Sequence, residues 1–513
     1  MNERERWATR VGLILAMAGN AVGLGNFLRF PVQAAKHGGG AFMIPYFISF
    51  LLLGIPLMWV EWAIGRYGGN RGHGSTPGMF QALWNHPIAK YLGVIGFVGP
   101  FLIVIYYAYI ESWTLAFSVF SLLGKFHQLA AGQPGGETLQ PFWDFVLDFI
   151  GAKDAGTLLH PSLWAYGFFV ITVFLNIWII ARGISRGIET LAKITMPMLF
   201  IFAVILAIRV LTLGAPVSPE HSVWKGLEFL WTPQLDKLAD WKIWLAAAGQ
   251  IFFTLSVGMG SIHTYASYLK SKDDIVVSGL ATASTNEFAE VVLGASIAIP
   301  AAVAFFGLQT AQEIAAGGAF NLGFVSMPAI LTQMPMGELF GFLWFGLLFF
   351  AGITSAVALI QPTVAFFEDE LGWPRKKVAL ILGIALFVLA HIPIFVNGAL
   401  DEMDFWMGNF FITLFALVEI VIFVWIFGMD RAWEEMHRGA EMQIPRIFYY
   451  IMKYITPLML LGIIGGWLFT EWIPTLKQSS PGIWLARGVV FGGIVWGWIW
   501  IYRAFRTRKQ GAS

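Results

Sequence analysis

Apolar runs about as long as a bilayer is thick recur through this chain from end to end, and few folds are compatible with that. A helix needs about 20 apolar residues to cross roughly 30 Å of hydrocarbon. Such runs lie at 10–35, 41–67, 89–123, 162–182, 191–213, 241–268, 276–306, 338–368, 376–396, 402–427, 446–470 and 483–505. Backbone groups inside hydrocarbon have no water partner, so each run is read as a helix. The sequence therefore predicts an all-α polytopic membrane protein of twelve spans. Composition agrees: 57% of the 513 residues are hydrophobic and only 12% are charged, about half the charged share of a soluble protein.

Charge then sets orientation. Arg6 and Arg10, Arg66 and Arg71, Arg182 and Arg186, Lys270 and Lys272, Arg375 to Lys377, Arg431 and Arg438, and Arg503 and Arg506 fall in alternate connections. The opposite set is sparser, so both termini are expected in the cytoplasm. The long connections 124–161, 214–240 and 307–337 then lie outside. The last carries its own apolar pattern and Gly317-Gly318, and is expected to fold back as short helices. The charged start runs into span 1 without a credible cleavage site and is read as retained. A net charge of +1 without a basic patch gives no reason to expect nucleic acid, and the lack of cysteine excludes disulfides and thiolate chemistry.

Two spans are interrupted in the same way. Span 1 contains Gly19-Asn-Ala-Val-Gly-Leu-Gly25-Asn26 and span 6 contains Thr254-Leu-Ser-Val-Gly-Met-Gly260-Ser261, so that Val22-Gly23-Leu24-Gly25 matches Val257-Gly258-Met259-Gly260. The copies are five spans apart, and an odd offset sets the second upside down. Glycine also serves plain close packing of helices, but paired glycine-interrupted spans in corresponding halves point to a transport site. Unwinding in hydrocarbon strands main-chain groups at several kcal/mol each. A cation and a zwitterion satisfy them together: carbonyls hold Na⁺ and an ammonium, while free amides at a half-helix start, here Leu24 and Gly25, hold a carboxylate.

At these residues the chain resembles the neurotransmitter:sodium symporter family, and within it the bacterial leucine-carrying members. The likeness is carried by Trp7-Ala-Thr-Arg10, Ala16 to Pro31, Tyr106-Tyr107, Gly249 to Ser256, Ala351-Gly-Ile-Thr-Ser355 and Asp401-Glu-Met-Asp404. It is weakest near 124–161 and in the last two spans. The resemblance implies two inverted five-helix repeats with broken spans 1 and 6, plus two peripheral helices. The expected division is 1–213 and 241–427 for the repeats, 214–240 for an external loop, and 428–513 for the peripheral spans and cytoplasmic tail.

Sodium-coupled import of a small neutral amino acid is the function the resemblance implies. The first sodium site would use Ala21, Asn26, Thr254 and Asn286 with the substrate carboxylate. The second would use Gly19, Val22, Ala351, Thr354 and Ser355. Neutral oxygens suit a hard cation without burying a permanent carboxylate. The ammonium would meet carbonyls of Ala21, Phe253, Thr254 and Ser256, while Leu24, Gly25 and the Tyr107 hydroxyl would meet the carboxylate. Ile103, Tyr107, Phe253, Ser256, Met259, Ser355 and Leu359 would line the side-chain pocket. No acid or base is among them, which favours a mostly apolar side chain. Ile103, Met259 and Leu359 depart from the leucine-carrying pattern, and flexible Met259 in place of a ring loosens selectivity.

Gates carry over as well. Arg29 and Asp404 would close the outside, and Arg4 and Asp369, with Trp7 as a plug, the inside. Glu290 stands where chloride-dependent relatives have a small polar residue, and its carboxylate is read as supplying the charge that chloride supplies there. Glu61, Glu111, Glu287 and Glu419 are read as structural hydrogen-bonders, and His263, isolated on span 6, as an ordinary core histidine. The implied setting is the inner (plasma) membrane of a prokaryote. Na⁺ is bound at two sites with no organic cofactor, and a homodimer is left open.

Gly183-Ile-Ser-Arg-Gly187 matches a nucleophile elbow in letters alone, since it sits in a short basic turn between two spans rather than after a strand. Gly23-Leu-Gly25 lacks the third glycine of a dinucleotide loop. No catalytic constellation supports an enzyme. The rival reading is a substrate-gated channel or an amino-acid sensor on the same scaffold.

Overall fold

The computed structural model describes residues 5–131, 139–153 and 156–511, side chains being described as far as 506. Arg4, expected at the inner gate, lies outside the described residues. All twelve expected spans are present. Ten helices are long and apolar enough to cross a membrane: Gly40–Gly69, Ala89–Leu122, Leu163–Ala181, Ile184–Leu211, Val276–Ala316, Gly337–Leu371, Arg375–Phe395, Ala399–Ile426, Ile447–Lys477 and Pro481–Arg506. These are spans 2–5 and 7–12. Span 1 is the bent pair Arg10–Ala21 and Gly25–Lys36, angled by 46°. Span 6 is split into Trp241–Leu255 and Ser261–Ala266.

Caps start these helices where the sequence offers a short polar side chain. The Thr9 hydroxyl accepts from the Gly12 amide at the start of span 1, Ser162 from Ala165 at span 4, and Asp240 from Lys242 at span 6. Each satisfies an amide that the first helical turn would otherwise leave bare.

Burial sorts the spans into a centre and a rim. The most apolar stretches of spans 3 and 8 are 94% and 89% buried, against 33% for spans 11 and 12 and 39% for spans 4 and 5. Spans 3 and 8 pack along much of their length, and spans 1 and 6 cross beside them. Small residues allow the approach: a Cβ on Gly352 of span 8 would sit 3.0 Å from the Glu111 side chain of span 3. Lipid tails are as apolar as leucine, so close van der Waals fit rather than burial from water favours such pairing. Rim side chains such as Phe174, Ile201, Leu380 and Leu461 are exposed, as a lipid-facing surface requires.

The connections refine the sequence reading. Span 7 continues to Ala316 through a kink at Gly307 (φ 78°, ψ 165°), so the loop expected to begin at 307 begins with helix. Asn321–Thr332 then forms the short helix expected there. Val223–Trp231 is helical within 214–240, as are Lys125–Ala131 and Gln140–Ile150 within 124–161. Gly183-Ile-Ser-Arg-Gly187, expected as a turn, instead opens span 5, with only Gly183 (φ 91°) outside the helix, and it takes part in a tether: the Ile184 amide donates to Glu5 (2.9 Å), and Glu5 faces Arg375 at 3.7 Å.

Candidate substrate and sodium site

Both glycine segments interrupt their helices. In span 1 the helix ends at Ala21, Val22 is extended (φ −74°, ψ 93°), and helical turns resume at Gly25. The Asn26 side chain accepts from the Gly23 amide (2.8 Å), and the Leu24 amide donates to the Tyr107 hydroxyl at 3.4 Å. In span 6 the chain is unwound from Ser256 to Gly260, with Ser256 (φ 54°), Gly258 (75°) and Gly260 (83°) in left-handed space. An L side chain pays strain there. Ser256 is held by its hydroxyl donating to the Asn20 carbonyl (2.8 Å), and Gly258 by its amide donating to Glu61 (2.6 Å).

The polar residues flanking the two breaks meet. The Asn26 side-chain amide donates to the Thr254 hydroxyl (3.1 Å) and to Asn286 (2.8 Å). Asn286 lies 2.9 Å from the Thr254 hydroxyl, and with its amide turned over it faces the carbonyls of Ala21 (3.2 Å) and Thr254 (3.1 Å). The four residues expected at the first sodium site are therefore one cluster of neutral oxygens. Glu290 sits directly behind it, bonded by the Thr254 hydroxyl, by Gln250 (3.1 Å) and by Tyr46 (2.9 Å). Glu287 shares that tyrosine at 3.0 Å.

The second set assembles where span 1 crosses span 8. The Ser355 hydroxyl donates to the Gly19 carbonyl (3.2 Å), and the Thr354 hydroxyl reaches the Ala351 carbonyl (3.2 Å). Gly19 lies so close to Thr354 that a Cβ would stand 3.0 Å from it. Val22 is buried at the break, but no described hydrogen bond joins it to the others.

Between the two clusters is a cavity lined by Ala21, Leu24, Gly25, Ile103, Tyr107, Phe253, Ser256, Met259, Ser355 and Leu359, every expected substrate residue except Thr254. It brings in Gly23, Asn26, Tyr106 and Gly408 besides. Gly408 stands four residues after Asp404, one turn along the same helix face, which is the signal that would have found it.

The residues expected at the gates are joined less directly than the sequence suggests. Among the described residues Arg29 and Asp404 form no ion pair. Arg29 donates to Asn409 (3.1 Å) and lies over the Phe253 ring at 4.4 Å, while Asp404 accepts from Tyr106 (2.9 Å). Asn409 in turn donates to the Asp404 carbonyl (3.3 Å) and so links the two. Trp7 donates its indole N–H to the Tyr265 carbonyl (3.0 Å) and makes edge contacts with Tyr265 and Tyr268. Asp369 lies near the C-terminal end of span 8. The amide of Ala8 and the hydroxyl of Thr9 fasten this segment to Glu189 at 2.7 and 2.8 Å.

His263, isolated along the chain, is not isolated in the fold. It stands fully buried between Glu61 and Glu419, with Nδ1 3.1 Å from the first and Nε2 3.3 Å from the second.

Residues 4–130 and 162–480 match the model described as the Sodium:neurotransmitter symporter family. The internal gap falls in the connection 124–161, where the likeness was weakest. An uncharacterised sodium-dependent transporter of Methanocaldococcus jannaschii is 31% identical over 96% of this chain and 95% of its own length. A sodium- and chloride-dependent glycine transporter of Xenopus laevis is 25% identical over 93% of this chain and 65% of its own. Among solved structures, MhsT in complex with L-phenylalanine superposes with a TM-score of 0.75 at 29% identity, covering 90% of this chain and 99% of that one.

Proposed function

Because this chain belongs to the sodium:neurotransmitter symporter family, we propose that it imports a small neutral, mostly apolar amino acid together with sodium by alternating access. One observation carries the reading. The Leu24 amide and the Tyr107 hydroxyl come together in the cavity that Ala21 and Asn26 also line, and Thr254 and Asn286 stand behind it. A carboxylate held by that amide and hydroxyl would also complete the oxygen shell of a sodium ion. Binding of either then strengthens binding of the other by the same factor.

The second oxygen cluster, at Gly19, Ala351, Thr354 and Ser355, would take a second sodium ion, joining the two halves of the site across spans 1 and 8. The apolar remainder of the cavity suits an uncharged side chain, and a structural relative holds phenylalanine. Two ions moving down a tenfold gradient supply about 1.4 kcal/mol each, with about 2.3 kcal/mol more per charge at 100 mV. That suffices to concentrate substrate several hundred-fold. Glu290, already engaged by three donors behind the sodium cluster, would supply the negative charge in place of chloride. Arg29 and Phe253 outside, and Trp7 inside with Arg4 and Asp369, would shut the two routes in turn. The setting is a prokaryotic inner membrane with both termini cytoplasmic and inverted repeats at 1–213 and 241–427.

Uptake and counterflow of labelled neutral amino acids in proteoliposomes test this. Accumulation is expected only with an inward sodium gradient, and replacing chloride by gluconate is expected to leave it unchanged. Sodium-independent flux, or flux without counterflow, would sink the carrier reading. A large loss in gluconate would remove the role given to Glu290.

A further inference from the structure

The cluster around His263 uses none of the substrate or sodium ligands, yet it touches the same break. Glu61 of span 2, His263 of span 6 and Glu419 of span 10 are each fully buried. Both ring nitrogens face carboxylate oxygens, at 3.1 and 3.3 Å. Neither contact has hydrogen-bond geometry, so the three groups are brought together as close, dry ionisable neighbours rather than as a bonded triad. The second oxygen of Glu61 accepts from the Gly258 amide at 2.6 Å, inside the unwound segment and next to Met259 of the side-chain pocket.

Charge decides what such a cluster can hold. With the ring neutral and both carboxylates ionised it would carry two negative charges, and among the described residues no lysine or arginine pairs with either acid. A dry interior strongly disfavours that state. Two protons shared over the three groups neutralise it. Neighbouring elements offer no other compensation. Span 3 brings Tyr106, Tyr107, Tyr109 and Glu111, of which Glu111 is bonded by Asn176 and Tyr106 donates to Asp404. Arg66, farther along span 2, is engaged by Glu435, and on span 10 Glu402 is engaged by Arg487. Span 8 has Glu338 at its outer end and Glu368 to Glu370 at its inner end, where Glu368 meets Arg375. Span 1 has Arg10 and Arg29 near its two ends, bonded to Glu441 and Asn409. Tyr265 and Tyr268 lie toward Trp7.

We propose that Glu61, His263 and Glu419 form a proton-binding site, separate from Glu290, that is loaded while the inner side is shut and unloads when span 6 moves. This rests on the alternating-access reading. When the segment after Gly260 shifts and water reaches the ring, an imidazolium N–H breaks, its electron pair stays on nitrogen, and the proton passes to water. The shut form holds more protons than the open one. Acid therefore favours the shut form and alkali the open one.

The absence of cysteine from the chain gives a direct test. Ser267→Cys places one thiol in a buried position at the inner end of span 6, and its labelling by an impermeant maleimide reports opening. In full-length protein in proteoliposomes, labelling should first respond to sodium. If it does not, the alternating-access reading fails rather than this one. As the pH is raised from about 5.5 to about 8.5, labelling corrected for thiolate reactivity should rise severalfold. Adding His263→Gln should flatten that rise while the sodium response survives. Glu419→Gln, which neutralises the cluster with one proton fewer, should keep labelling low across the window and serves if the histidine variant does not fold. A sodium-responsive rise that persists in both His263→Gln and Glu419→Gln would overturn the proposal. Protection by Zn²⁺ that depends on His263 would also overturn it, because the cluster would then be a metal site.

Discussion

The two interrupted spans carry the same Val-Gly-x-Gly sequence and solve the interruption differently. Span 1 breaks over a short stretch, and none of its residues there takes a positive φ. Its bare amides face side chains that could give way to a ligand, Asn26 and the Tyr107 hydroxyl. Span 6 breaks over a longer stretch, enters left-handed space three times, and presses its backbone on other backbones. A Cβ at Gly258 would meet the Ile412 carbonyl at 2.3 Å, and one at Gly260 the Gly96 carbonyl at 1.9 Å. The first break rests its amides on side chains alone, and the second is locked into the scaffold, with the Gly258 amide held by Glu61. One motif thus lies against movable side chains in span 1 and against fixed backbone in span 6.

Substitutions separate the two roles. Gly260→Ala combines left-handed strain of about 1–2 kcal/mol with a backbone collision that no rotamer relieves. Folded, monodisperse protein should fall severely, and a melting temperature equal to that of the parent would erase the contrast drawn here. Gly25→Ala meets only the Phe253 ring, at 2.6 Å, which can swing. Its stability should stay near that of the parent while substrate affinity drops by about tenfold, roughly 1.4 kcal/mol, in equilibrium binding. Asn286→Ala, or Thr254→Ala, should raise the sodium needed for half-saturation and weaken substrate binding by about the same several-fold factor, the signature of linked sites. Unchanged substrate affinity at limiting sodium would contradict the shared carboxylate. Met259→Phe, between Gly258 and Gly260, should have the smallest effect: a preference among neutral amino acids narrowed by about threefold. A competition panel reads this, and a broader range would remove Met259 from the pocket.

Sequence and structure divide along a physical line. The spans were readable because membrane thickness fixes how long an apolar run must be. The breaks were readable because glycine pairs stand out inside such runs. Asn26 and Thr254 flank the breaks within long family motifs, whereas Asn286 was placed with them only by the family resemblance. Three pairings were not legible. Asn409 stands between Arg29 and Asp404, Glu189 and Glu5 fasten the start of the chain to the beginning of span 5, and His263 lies between Glu61 and Glu419. Each joins residues from spans far apart in the chain. An apolar run records only that its helix is surrounded by apolar matter. Which helix lies beside it, and which polar side chain it must face there, depends on close packing of the whole bundle, and only the tertiary structure decides that.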